Sequence, residues 1–118
     1  MLSGIESKGI YLACGTTDMR KSIDGLAAIV SLEFKLDLFD DSLFVFCNRG
    51  RNKLKILYWD TNGFWLYYRR LERGRFAWPE SSRDAAISVS RRQLRWLLDG
   101  FSIEERRAHP EVLARKIA

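Results

Sequence analysis

Arg49, Arg51, Lys53 and Lys55 occur at alternate positions, and a second run of cations follows at Arg69, Arg70, Arg73 and Arg75. Around them stand Tyr58, Trp59, Phe64, Trp65, Tyr67, Tyr68, Phe76 and Trp78, so that three of the four tryptophans fall within residues 49–79. Cations bind phosphate by displacing its counterions, and flat rings stack on unpaired bases. The eight cations are therefore the candidate nucleic-acid-binding set. Trp59, Trp65 and Tyr67 are candidate stacking residues if they face outward. Rings in strands also pack into cores, which is the competing role for each of them.

Catalytic chemistry has weaker support. Asp18, Asp24, Asp60 and Glu72 are the carboxylates a metal-dependent nuclease would use, but they fall on separate elements without the spacing of a ligand set. Each also has a plain structural role: a helix cap for Asp18, a polar helix face for Asp24, a hairpin turn for Asp60, an arginine partner for Glu72. His109 is the single histidine and has no evident catalytic partner. Cys14 and Cys47 lie far apart with no CxxC pair, which argues against a zinc ribbon or a thioredoxin-type site. The expectation is two reduced thiols, no metal, no cofactor and no catalytic residue.

The elements that position these residues follow from pattern. Gly9 to Gly15 is a short apolar run bounded by glycines, a buried strand. Thr17 or Asp18 then caps a helix whose apolar face is Met19, Ile23, Leu26, Val30 and Phe34, with Lys21, Asp24 and Ser31 opposite. Leu43 to Asn48, Leu54 to Asp60, Phe64 to Leu71 and Phe76 to Trp78 read as further strands. A basic turn spans residues 48–52, Asn62-Gly63 marks a hairpin, and Pro79 ends the last of these strands. Ile87 to Val89 is another short strand. Ser90 and Gln93 have capping-box spacing ahead of a helix with the stripe Leu94, Leu97, Leu98 and Phe101. Arg91, Arg92 and Arg95 cluster on its adjacent face.

Alternation sorts the hairpin side chains. If the turn keeps like parity together, Leu54, Ile56, Tyr58, Phe64, Leu66 and Tyr68 share the core face. Lys53, Lys55, Trp59, Trp65, Tyr67 and Arg69 then share the outer one. A one-residue change in the turn would mix the two sets. The segregated arrangement is expected because it leaves fewer charges facing the core.

These elements fit one α+β domain over residues 1–103: an antiparallel meander of about five or six strands, packed by one long N-terminal helix and a C-terminal helix. A charged tail follows over residues 104–118, frayed or forming a short helix near Pro110 to Ile117. At 118 residues with 47% hydrophobic content the chain suffices for a single core. The net charge of +5 is unevenly spread. Residues 1–48 carry 4 basic and 7 acidic side chains, residues 49–95 carry 12 and 4, and residues 96–118 carry 4 of each. A basic middle beside an acidic front points to a polyanionic partner. No leader-like or membrane-spanning run is evident, so a cytoplasmic location is expected.

Several stretches together resemble one family. They are Tyr11-Leu12 with Gly15, Thr17-Asp18-Met19-Arg20, Asp24-Gly25-Leu26, Leu43-Phe44-Val45-Phe46, Lys55-Ile56-Leu57-Tyr58-Trp59-Asp60 and Gly63. Arg70-Leu71-Glu72-Arg73-Gly74-Arg75-Phe76 with Trp78-Pro79, and then Gln93-Leu94, Trp96-Leu97-Leu98 and Gly100, complete the pattern. In that order they resemble the TnpB accessory proteins of bacterial insertion sequence 66 elements, which are distinct from the RNA-guided nuclease of the same name. The likeness runs from about residue 10 to residue 101. Arg69 stands in place of a lysine, Tyr58 in place of a frequent tryptophan, and Cys47 at a position more often polar or basic.

The resemblance implies a small protein encoded beside a separate transposase and needed for transposition, with the strand-transfer carboxylates in the transposase. Joined to the residue reading, it gives a non-catalytic accessory protein that binds DNA, at element ends or target, through a basic β-hairpin surface. The alternative is an interaction module that docks on the transposase without touching DNA, since arginine and aromatic residues also favour protein interfaces. A metal-dependent nuclease ranks below both. The sequence is compatible with a homo-oligomer and points to no membrane partner.

Overall fold

The structure, a computed structural model, describes residues 7–80 and 83–103. Within them, strands β1 (Ile10–Ala13), β2 (Leu43–Cys47), β3 (Lys53–Asp60), β4 (Gly63–Arg70) and β5 (Ala86–Ser88) form one sheet in the order β4-β3-β2-β1-β5. The α+β class is as expected, but the all-antiparallel meander is not. Only β2-β3-β4 is a meander. β1 lies parallel to β2, with Ile10 opposite Leu43 and Leu12 opposite Val45, while β5 runs antiparallel to β1. The cause is the connection between β1 and β2, which carries a helix across the sheet, and such a crossover returns the chain in the same direction.

That helix is shorter than its apolar spacing predicts. It starts at Ile23 rather than near Met19, runs as α-helix α1 to Ala28, and continues as π-helix over Ile29–Phe34, ending at Lys35 with φ 56°. Asp18 does not cap it; Ser22 occupies the N-cap position. Leu26, Val30 and Phe34 recur every four residues, a step that drifts by roughly 40° around a helix of 3.6 residues per turn. The wider π turn offsets that drift, keeping Val30 buried and Phe34 stacked on Phe46 with ring centroids 6.1 Å apart.

Both faces of the sheet are covered. All five residues of β2 are buried, as an uninterrupted apolar run in a central strand should be. On one face Phe44, Phe46 and Leu57 meet Leu26 and Val30. On the other, Leu12, Val45, Leu54 and Ile56 meet Leu94 and Leu97 of helix α2 (Arg91–Leu98). The Ser90 hydroxyl accepts from the Gln93 amide at 3.0 Å, and the Gln93 side-chain oxygen accepts from the Ser90 amide at 2.9 Å, so the expected capping box is formed. Phe101, expected on the α2 stripe, is 45% exposed.

Phe76 to Trp78 is not a strand. It lies over the α2 face, with both rings buried and the Trp78 indole N–H donating to the Ala13 carbonyl at 2.9 Å. The charged tail 104–118 and its expected helix lie outside the described residues.

The hairpin register mixes the two expected side-chain sets. Gly63 already pairs with Asp60, leaving a two-residue loop of Thr61 and Asn62. Opposed residues therefore have opposite parity. Lys55 faces Tyr68, Leu57 faces Leu66 and Trp59 faces Phe64 on the α1 side, while Ile56 faces Tyr67, Tyr58 faces Trp65 and Leu54 faces Arg69 on the α2 side. Arg70, opposite Lys53, joins the α1 side.

Candidate nucleic-acid interface

Two basic segments separated in sequence meet at one end of the sheet. Lys53 opens β3 directly opposite Arg70, and Leu54 lies opposite Arg69. Beyond the strands, the Leu71 amide donates to the Asn52 carbonyl at 2.8 Å and the Phe76 amide to the Arg51 carbonyl at 2.6 Å. These bonds tie the 48–52 turn to the 71–76 turn. Arg49, Arg51, Lys53, Arg69, Arg70, Arg73 and Arg75 therefore share one end of the molecule, with Lys55 one step further in.

Asparagines hold the 48–52 turn. The Asn48 side-chain oxygen accepts from the amides of Asn52 and Lys53, both at 3.1 Å, and its amide group donates to the Asn52 side chain at 2.9 Å. Arg51 sits at φ 60° within it. Two of the cations have carboxylate partners, Arg51 with Glu80 at 3.1 Å and Arg70 with Glu72 at 2.9 Å. The hydrogen bond that Arg70 donates to the Glu72 carboxylate raises the Arg70 pKa above its ordinary value. Arg49, Lys53, Arg69, Arg73 and Arg75 have no ion-pair partner among the described residues, which leaves five uncompensated charges at this end.

Lys55 is held differently. Its ammonium donates to the carbonyls of Met19 at 2.8 Å and Lys21 at 2.9 Å, and lies 5.9 Å from the Tyr68 ring centroid. It clamps the segment between β1 and α1 onto the sheet. That clamp bounds a cavity of about 840 Å³ lined by residues 16–20, residues 48–50, Lys53, Lys55, Leu66 and Tyr68. In its rim Asp18 forms a fork with Arg20, the closest contact being 2.7 Å. The hydrogen bonds from Arg20 hold the Asp18 pKa at about 2, so this pair stays internally compensated at any working pH.

The three candidate stacking rings lie away from this end. Trp59 is enclosed by Phe39 and Phe64, each with its ring centroid 4.9 Å away. Tyr67 is half-buried against the α2-side core and stacks on Trp65 at 6.2 Å. Trp65 is 56% exposed, but its indole N–H donates to Asp60 at the hairpin end. The exposed ring beside the cations is Tyr68, which the like-parity expectation placed in the core; the one-residue change in the turn that would mix the two sets is what the structure adopts.

The four carboxylates considered for metal binding stay on separate elements. Asp18 binds Arg20, Asp60 accepts from Trp65, Glu72 binds Arg70, and Asp24 lies exposed in the first turn of α1. Among the described residues no three His, Cys, Asp or Glu side chains form a group able to hold a metal ion. Neither cysteine is in a disulfide, and burial pushes the Cys47 thiol up to about 11. No helix among the described residues is long and apolar enough to cross a membrane.

The fold and site thus define a small mixed-sheet α+β domain with a cationic end. Comparison with known proteins is more specific: the family model for IS66 Orf2-like proteins matches residues 8–108, and this chain belongs to that family. Membership links it to transposition, as an accessory protein of insertion sequence 66 elements. Two relatives come from Sinorhizobium fredii (strain NBRC 101917 / NGR234). The uncharacterized protein y4hO is 41% identical over 101 residues, covering 86% of this chain and 87% of the relative. The uncharacterized protein y4jC is 28% identical over 114 residues, covering 95% and 97%. No solved structure matches the chain.

Proposed function

We propose that this protein assists transposition without catalysing strand transfer, by holding DNA of the element or its target against the cationic end of the sheet. One observation carries this reading: the two basic runs of one hairpin and its flanking turns converge on one end, where five cations have no ion-pair partner among the described residues. Convergent uncompensated cations are what neutralising a run of phosphates requires, and the resulting affinity is salt-dependent and largely independent of sequence. The element's transposase acts on the DNA held in this way.

The test is a salt titration of DNA binding by the purified protein, compared with a variant in which Arg49, Lys53, Arg69 and Arg73 are all alanine. Each lost phosphate contact should flatten the log–log salt slope by about 0.9. The quadruple variant should therefore bind more weakly and with a slope shallower by roughly 3 to 4, while keeping its fold. An unchanged slope and affinity would remove these residues from the interface.

The docking alternative draws on a separate feature. β4 is an edge strand, and Trp65 on it is 56% exposed beside Tyr67. An exposed edge with an aromatic anchor suits strand addition by a protein partner. Capture of the purified transposase by the wild type, lost in Trp65→Ala and kept in the quadruple variant, would favour that reading.

A further inference from the structure

The cavity beside the cationic end has a lining that pure phosphate-backbone binding does not require. At about 840 Å³ it falls within the range of roughly 300–1,000 Å³ typical of small-molecule pockets. Its wall is divided chemically. Arg49 and Lys53, both without ion-pair partners among the described residues, stand with Thr16 and Thr17 as a polar portion suited to an anion. Leu66 and Tyr68 supply an apolar and aromatic portion, and the Tyr68 side chain is 52% exposed. Lys55 is fixed at the boundary by the two carbonyls it binds. Arg20 is taken up by Asp18, so the anion is expected on Arg49 and Lys53.

We propose that this cavity accepts one unpaired nucleotide, its phosphate held by Arg49 and Lys53 and its base stacked on Tyr68. The match is to both halves of a nucleotide at once: an anionic group for the cations and a flat π-system for the ring. A base inside a duplex has both faces covered by its neighbours, so only an unpaired, extruded or free nucleotide can offer a face to Tyr68. The inference deepens the DNA-binding reading and rests on it for the source of the nucleotide. A free nucleoside monophosphate has the same chemistry and is distinguished by the test.

The experiment measures binding of the full chain to two single strands of equal length, a short oligothymidylate and its fully abasic counterpart, at one fixed salt concentration. Both carry the same phosphates, but only one carries bases. The wild type should prefer the oligothymidylate by about tenfold, the scale of one stacked base. Tyr68→Leu should abolish that preference while leaving affinity for the abasic strand unchanged, and Tyr68→Phe should retain the preference. Circular dichroism checks that both variants fold.

Equal binding of the two strands by the wild type would overturn the pocket while leaving the DNA-binding reading intact. So would a Tyr68→Leu variant that weakens both strands alike. If neither strand binds at low salt while duplex DNA does, the pocket is overturned and the DNA-binding reading stands. If duplex DNA fails to bind as well, that reading fails and thymidine monophosphate decides the pocket. Millimolar binding of that nucleotide that depends on Tyr68 would keep the pocket as a mononucleotide site; no binding would overturn it as well.

Discussion

Lys53 and Lys55 lie two positions apart on the same face of β3, and the same charge serves different ends in them. Lys53 has no ion-pair partner among the described residues, whereas the Lys55 ammonium donates to two backbone carbonyls at 2.8 and 2.9 Å. Hydrogen bonds from a charged group contribute about 1.5–3 kcal/mol when the partners would otherwise be left unsatisfied, and partial exposure lowers that figure. Lys55→Met should therefore destabilise the fold by about 1–2 kcal/mol on that scale, visible as a lower denaturant midpoint. Lys53→Met should leave stability within about 0.5 kcal/mol, the usual range for surface changes. Equal stability losses in the two variants would show that the carbonyl contacts of Lys55 do not hold the 16–21 segment in place.

The elements differ in how far the sequence announces them. Ser90 and Gln93 form the capping box that their spacing implies, and the strands from Leu43 to Arg70 appear with nearly the expected limits. Local chemistry was sufficient for these. What depended on a single residue of register was not legible: the two-residue loop at Thr61 and Asn62 reverses the parity of β4, moving Tyr68 out of the core and Tyr67 toward it. Nor did apolar spacing disclose that β1 would pair in parallel with β2, because strand direction is set by the crossover and not by the strand's own residues. The basic site was legible as a set of cations on the expected hairpin, whereas the backbone bonds that draw the 71–76 segment onto the 48–52 turn were not. The loop itself carries strain, with Thr61 at φ 56° where a β-branched side chain is disfavoured. Thr61→Gly suits a turn with positive φ at its first central residue, and relief of that strain outweighs the added freedom of the unfolded chain. The variant should be more stable by up to about 1 kcal/mol, read as a raised midpoint in denaturant. A lowered midpoint would mean that the Thr61 hydroxyl bond to Asp60, at 3.2 Å, matters more than the backbone strain.

At the scale of the whole molecule, the uneven charge of the sequence becomes a separation in space. The cations gather where β3 begins and β4 ends. Asp60 closes β3 at the opposite end, and Asp41 is near enough to act with it on Tyr58, both raising that phenol's pKa alongside the larger effect of burial. The eight residues of β3 set the two ends roughly 25 Å apart at about 3.3 Å per residue. Arg91 acts on Tyr58 in the opposite sense and partly offsets these two charges. A polyanion approaching this molecule is therefore drawn more strongly to the end that carries the turn cations, which orients the encounter before any contact forms. Each acidic-end charge contributes only about 0.2 kcal/mol against one phosphate at that distance in water, but two charges acting on several phosphates add up. Asp41→Asn with Asp60→Asn should speed association with DNA a few-fold at about 0.01 M salt, where the screening length is about 30 Å. At about 0.15 M salt, with a screening length of about 8 Å, the gain should vanish. Stopped-flow association rates at the two salt concentrations check this, and a gain that persists at the higher salt would place the two aspartates in direct contact with the DNA instead of at the far end of its field.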